Sequence, residues 1–286
     1  MKKLYLSLLI VISGITIYLA VLVSSKLLYL LAIILSALSL GFFLKNTVFI
    51  FPKRSRRYVV TVYVILLESL GLFLIYLISF FSFFIKSYNT NMKKTPILLV
   101  HGYVNFSSVW LFHALRLKRK GYGPIFLINL GFPFSSIETY TSKVKKKITE
   151  IQKVTQKREI ILIGHSMGGL VSSYFAGKYP NYADVKAIIT LGSPLKGTKI
   201  AKIGIGKCCR QMEFKSKFIQ TAQQNYPDKI MYHIVTKKDQ LIIPYTSGIV
   251  NQEKGKTYTI DDLGHASLLY STRVFQKIDH WLKDLN

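Results

Sequence analysis

Residues Glu159–Leu170 read EIILIGHSMGGL, an aliphatic run that ends on glycine and then sets Ser166 between Gly164 and Gly168. The run has the continuous Ile/Leu character of a strand buried on both faces, and the stretch from Met167 to Lys178 reads as the helix that follows. Ser166 therefore occupies a sharp strand-to-helix turn. Such a turn strains the serine backbone and would bring side chains two positions either side into collision, an obstruction that glycine at 164 and 168 removes. The hydroxyl is thrust out at the sheet edge. Backbone N–H groups at the start of the helix, that of Met167 first, point at the place where an oxyanion would develop on a substrate carbonyl.

Working outward, the same alternation continues. The pattern predicts strands over Ile97–Val100, Pro124–Asn129, Glu159–Ile163, Val185–Leu191, Ile230–Thr236 and Thr257–Ile260. Helices are predicted over Ser108–Lys120, Ile137–Gln156, Met167–Lys178 and Ala266–Leu285. Strands alternating with helices argue a doubly wound, mostly parallel α/β sheet, in which ligands gather at the carboxyl ends of strands.

A serine in such a turn needs a base and an acid, in the order serine, acid, histidine along the chain. His265, in DLGHASLL after the last strand, is the best placed of the six histidines. A neutral imidazole takes the serine proton near neutral pH and returns it to the leaving group. Asp239, in TKKDQLIIP, follows a strand and projects from its carboxyl end to fix the imidazole's tautomer and orientation. Asp228 precedes that strand, and Asp261 and Asp262 stand too near His265 in sequence. A second oxyanion donor is expected in LLVHGYV at the end of the first strand, from the backbone N–H of Tyr103, with Gly102 allowing close approach. His101 is expected to pack and hydrogen-bond within that loop.

The front of the chain differs. Leu4 to Val23, Leu27 to Leu44 and Tyr58 to Ile85 are apolar runs that read as three membrane-spanning helices, since about 20 apolar residues cross about 30 Å of hydrocarbon. A cleaved signal peptide is the alternative for the first run, but no clear A-x-A-like site precedes Lys26. Glu68 interrupts the third run. It reads either as an intramembrane functional carboxylate or as a group left near the interface, or paired with a neighbouring helix, when the span slides toward Ser69 to Ile85. Lys45, Lys53, Arg54, Arg56 and Arg57 crowd the second connection, whereas the first carries Lys26 alone, so three crossings would carry everything after Ile85 to the outer side. Residues 1–88 thus form a membrane part and 89–286 a catalytic part.

Formal net charge is +26, with +8 before Ser87 and +18 from there on. A charge total suits anionic lipid head groups or nucleic acid alike. No aromatic-basic nucleic-acid motif and no zinc-like Cys/His spacing accompanies it, so nucleic acid is not expected as a partner. Lys143, Lys145, Lys146 and Lys147 read as the solvated face of a helix. The two cysteines, Cys208 and Cys209, are sequence neighbours and cannot staple distant parts of the fold.

Taken together, ILLVHGY, LIGHSMGGLVSSYFA, IITLGSPLKGT, KKDQLIIP and LGHASLL resemble the α/β-hydrolase-fold lipases and esterases. The likeness is to bacterial triacylglycerol lipases and, more loosely, to glycosylphosphatidylinositol inositol-deacylases, over roughly Thr95 to the C-terminus. The resemblance implies Ser166 as nucleophile, Asp239 and His265 as its partners, and the amides of Tyr103 and Met167 as oxyanion donors. It also implies a cap over the acyl pocket, here Gly197 to Pro227 and unusually basic, and no metal or organic cofactor. A membrane-held serine hydrolase acting on acyl esters of lipids is the leading expectation. An acyltransferase or thioesterase would use the same residues, and a catalytically inert hydrolase-like interaction protein is the non-enzyme alternative.

Overall fold

The computed structural model describes residue 68 and residues 92–250 and 255–285. The predicted spans at 4–23, 27–44 and 58–85 lie outside these residues, Glu68 apart. Among the described residues no helix is long and apolar enough to cross a membrane.

The described chain builds one six-stranded sheet in the order β2-β1-β3-β4-β5-β6. The strands are β1 (Ile97–Val100), β2 (Ile125–Ile128), β3 (Glu159–His165), β4 (Asp184–Leu191), β5 (Ile230–Thr236) and β6 (Gly255–Ile260). Every neighbouring pair is parallel. Successive side chains of a strand face opposite ways. Ile97, Leu99, Ile161 and Ile163 accordingly enter one core, and Leu98, Val100, Ile160 and Leu162 the other. Because both faces are covered there, β1 and β3 show aliphatic runs in place of polar alternation, whereas the edge strand β6 is largely exposed.

The first core is closed by α1 (Leu111–Arg119) and α6 (Thr272–Lys283), which contribute Leu117, Phe275 and Trp281. The second is closed by α2 (Ile137–Thr155) and α3 (Met167–Lys178). On α2 the buried positions Ile137, Tyr140, Val144, Ile148 and Ile151 recur at helical spacing, and Ser136 caps the first turn through the Thr139 amide at 3.2 Å. Three of the lysines near its middle find partners: Lys143 donates to the Leu130 carbonyl, Lys145 lies over the rings of Tyr179 and Tyr182, and Lys147 pairs with Glu150.

Two predicted helices are subdivided. The one expected from Ser108 opens as a 3-10 turn, Ser107–Trp110, before α1. The one expected over Ala266–Leu285 is a 3-10 turn, Ala266–Leu269, followed by α6. Ser271 separates the two with extended backbone, and its hydroxyl accepts from the Val274 amide at 3.3 Å. The stretch Gly197 to Pro227 between β4 and β5 folds as a 3-10 turn (Lys199–Ile203), α4 (Lys207–Met212) and α5 (Lys217–Gln224). Cys208 and Cys209 on α4 are free thiols buried in the second core.

From β1 the chain steps to β2 on one side, then returns past β1 to β3 and proceeds through β4, β5 and β6 on the other. The direction reverses between β1 and β3. A crevice opens outside the carboxyl ends of strands at such a point.

Candidate active site

Ser166 follows β3 at that crevice, with φ 54° and ψ −129°. A non-glycine residue held there costs about 1–3 kcal/mol, and it persists because its surroundings over-determine it. Its amide donates to the Leu191 carbonyl at 2.8 Å. A methyl group on Gly168 would come within 2.2 Å of the Val100 carbonyl oxygen, and one on Gly164 within 2.4 Å of the Gly169 nitrogen. Glycine at both positions is thus what lets α3 start so close to β1 and β3. Ser166 is half-buried between the buried His165 and Met167. Met167 opens α3, so its amide is one of the helix N–H groups without an intrahelical acceptor.

The loop after β1 lies against the serine: a Cβ on Gly102 would stand 2.8 Å from Ser166 Cβ and 3.4 Å from Oγ. Tyr103 follows directly. The ring of His101 is locked within the loop, with Nε2 accepting from the Leu130 amide at 2.9 Å and Nδ1 lying 2.9 Å from the Gly102 carbonyl. The first contact requires a bare Nε2, so Nδ1 carries the proton and donates to the carbonyl. Burial lowers the pKa of His101 to about 4 and keeps this tautomer neutral.

Asp239 and His265 meet. His265 Nδ1 lies 2.9 Å from Asp239 Oδ2 and 3.0 Å from Oδ1. Asp239 Oδ1 also accepts the amides of Leu241 at 2.9 Å and Ile242 at 2.7 Å, which fixes the carboxylate at the end of β5. The other candidate acids are elsewhere, Asp261 paired with Lys237 at 3.0 Å and Asp262 with Arg273. Gly192, next after the Leu191 that holds Ser166, borders the pair: a methyl there would lie 3.1 Å from Asp239 Oδ2 and 3.2 Å from His265 Nδ1. The serine and the ion pair therefore share one rim of the sheet.

Burial works against a charged His265, but the charge of Asp239, its hydrogen bond and the charge of Glu68 together outweigh that and raise the imidazole pKa above its usual 6.5. The backbone around the histidine is tightly held. The His265 amide donates to Gln240 Oε1 at 3.1 Å, His165 Nε2 donates to the His265 carbonyl at 3.1 Å, and Thr236 Oγ1 donates to the Leu263 carbonyl. The carboxylate of Glu68 accepts from the amides of Ala266 at 2.7 Å and Ser267 at 2.9 Å. Sequence reasoning missed the roles of His165, Gln240 and Glu68 here. The first two adjoin Ser166 and Asp239, and Glu68 was signalled only as a lone acid in an apolar run.

The stretch expected to form a cap, Gly197 to Pro227, is fastened on two sides. Tyr103 donates its hydroxyl to the Ile205 carbonyl at 2.9 Å. Thr198 Oγ1 donates to the Leu241 carbonyl at 2.6 Å and accepts from the Ile243 amide at 3.0 Å. Ile203, Ile205, Leu241 and Ile243 leave apolar surface exposed along this border. Among the described residues no three His, Cys, Asp or Glu side chains are grouped to hold a metal ion.

A family model of the alpha/beta hydrolase fold matches residues 95–207, which include Tyr103 and Ser166 and stop short of Asp239 and His265. Triacylglycerol lipases of Pseudarthrobacter phenanthrenivorans and Burkholderia plantarii are 28% identical over 117 residues, 38% of this chain. The chain spans about a third of the length of these curated relatives, 35% and 32%. Among solved structures, the mature Bacillus licheniformis lipase BlEst2 superposes with a TM-score of 0.57 at 17% identity, over 68% of this chain and 92% of that one. Est1E from Butyrivibrio proteoclasticus does so with 0.54 at 15% identity, over 70% and 92%. The described chain has the α/β-hydrolase fold.

Proposed function

We propose that the protein is a membrane-anchored serine carboxylester hydrolase that cleaves acyl esters of lipids through an acyl-enzyme. The observation that carries this reading is the Asp239–His265 pair, bound at 2.9 Å and set on the same rim as the strained, half-exposed Ser166. The matches to lipases and esterases support it at the level of reaction class.

In this reading His265 Nε2, the nitrogen opposite Asp239, takes the Ser166 proton as the serine oxygen attacks the ester carbonyl carbon. The amides of Tyr103 and Met167 hold the tetrahedral oxyanion. Collapse breaks the ester C–O bond, and the imidazolium gives its proton to the departing alcohol. Water then attacks the acyl-serine carbonyl and loses a proton to His265; collapse breaks the bond to the Ser166 oxygen, which takes that proton back from the imidazolium as the carboxylic acid leaves.

A lipid substrate is favoured by the apolar border of the cap, Ile203 and Ile205 with Leu241 and Ile243, and by the three apolar runs of the N-terminal sequence. Membrane anchoring through the runs Leu4 to Val23 and Leu27 to Leu44 rests on their apolar length, while the hydrogen bonds of Glu68 to Ala266 and Ser267 keep that residue of the third run with the catalytic part.

The test is labelling of the full-length protein by a fluorophosphonate together with hydrolysis of p-nitrophenyl acyl esters. Wild type is expected to label and turn over, and Ser166→Ala to lose both, with activity down about 10⁶-fold. Full activity in Ser166→Ala rejects the reading. Lipid profiles of membranes incubated with each protein then identify the ester cleaved.

A further inference from the structure

We propose that Glu68 is a positioning residue for His265: reaching from the N-terminal apolar segment, its carboxylate clasps the backbone just after the histidine and holds the imidazole in register with Asp239 and Ser166. This rests on the serine-hydrolase reading above and adds to it a residue about 200 positions away in sequence.

Both oxygens are engaged. Oε2 accepts from the Ala266 amide at 2.7 Å, and Oε1 accepts from the Ser267 amide at 2.9 Å and from the Ser267 hydroxyl. The same hydroxyl accepts from the Gly264 amide at 2.9 Å; its one proton has two acceptors, the carboxylate and, at the longer 3.2 Å, the Gly264 carbonyl. The amides of residues 266 and 267 thus meet the carboxylate directly, and that of residue 264, on the other side of His265, reaches it only through the Ser267 hydroxyl. Among the described residues all three direct partners of Glu68 are donors, which suits an ionised carboxylate, an acceptor only. Glu68 is buried, as are Ala266 and Ser267. These amides open a 3-10 turn too short to satisfy them itself, and buried N–H groups need partners.

Room for the clasp depends on Gly264. A methyl group there would come within 2.3 Å of Glu68 Cδ and 2.4 Å of Cγ. Nothing in the left-handed region of backbone space demands glycine at this position, so the carboxylate is the evident reason for it. The titratable groups facing His265 are Asp239 on Nδ1, His165 with its ring 4.7 Å away, and Glu68 behind the turn. The negative charge of Glu68 favours the imidazolium that forms during each turnover.

The experiment compares full-length wild type, Glu68→Gln, Glu68→Ala, Gly264→Ala and the Glu68→Ala/Gly264→Ala double variant. Measurements are kcat, KM, the pH profile of kcat/KM, melting temperature and final fluorophosphonate incorporation. Glu68→Gln is expected to lower kcat by about 10–100-fold with little change in KM, the scale of a catalytic group displaced by an ångström or less. Its acid limb should move to lower pH, because a charge that supported the imidazolium is gone. Gly264→Ala should reproduce the kcat loss by expelling the carboxylate, yet add nothing in the Glu68→Ala background, where its methyl fills vacated space.

Wild-type kcat and an unmoved acid limb in Glu68→Gln overturn the proposal. So does a loss of kcat with the acid limb unmoved and with Gly264→Ala fully additive, which is the signature of a merely structural contact. If the Glu68 variants do not fold, a folded Gly264→Ala with wild-type kcat and acid limb overturns it, and one with both altered supports it. Failure of the wild type itself to label removes the underlying hydrolase reading instead.

Discussion

His165 and His265 lie face to face at an angle, ring centroids 4.7 Å apart, and Nε2 of the first donates to the main-chain carbonyl of the second at 3.1 Å. The residue beside Ser166 thus braces the backbone of His265. Burial, and then the proximity of a charged His265, holds the pKa of His165 well below 6.5, so it braces as a neutral ring. His165→Phe keeps the ring and removes the donor, leaving a buried carbonyl unpaired. The expected loss is about 1–3 kcal/mol, visible as a melting temperature lowered by about 2–4 °C per kcal/mol.

In the proposed hydrolase the raised pKa of His265 would set the acid limb of activity. Hydrolysis needs the neutral imidazole, so kcat/KM should fall as pH drops through a value above 6.5. Asp239→Asn removes the largest of the effects that raise this pKa. Its acid limb should shift to lower pH while kcat drops about 10⁴-fold, because the tautomer is no longer fixed. A pH–rate series on both proteins reads the two effects separately.

Gly192 has φ +52° and borders both partners of the ion pair. In Gly192→Ala the new methyl would also meet Leu268 Cδ1 at 3.0 Å. The backbone strain is about 1–2 kcal/mol, modest for the whole domain. Displacement of the imidazole matters more, and kcat should fall about 10–100-fold while the protein still melts cooperatively. Side-by-side kinetics and calorimetry check the contrast.

Far from the crevice, Trp281 of α6 stacks on Tyr232 of β5 with centroids 4.7 Å apart and planes 9° from parallel. Trp281 is 1% exposed. Trp281→Ala should destabilise by about 3–5 kcal/mol through lost contact and the cavity left behind, with specific activity of the folded fraction unchanged. A urea titration monitored by circular dichroism, paired with an esterase assay, measures both.

What the sequence made legible depended on how local the signal was. The central strands could be read because β1 and β3 are covered on both faces and carry unbroken aliphatic runs, ILLV and IILI. Ser166 could be read because strand, glycine-flanked turn and helix are contiguous. Asp239 and His265 followed from chain order, and the structure brings them into contact. Other features were not local. The six residues of α4, KCCRQM, are too few to show a helical period, so the cap read as an undivided stretch. The break at Ser271 rests on one extended residue whose hydroxyl caps the Val274 amide, a signal too small to see in the apolar pattern, and the grip of Glu68 on Ala266 and Ser267 comes from about 200 residues away. Tyr103 was legible as an amide donor, while the use of its hydroxyl to hold Ile205 depends on where the cap lands.

Thr198 ties the cap to Leu241 and Ile243, on the loop whose amides also grip Asp239. A lid that swung outward on this hinge would drag the acid with it, so admission and chemistry are mechanically inseparable. An entrance tethered in this way would keep a single bore. Rates plotted against acyl length should break off abruptly at the chain that no longer fits, where a freely flapping cover would give a gentle decline.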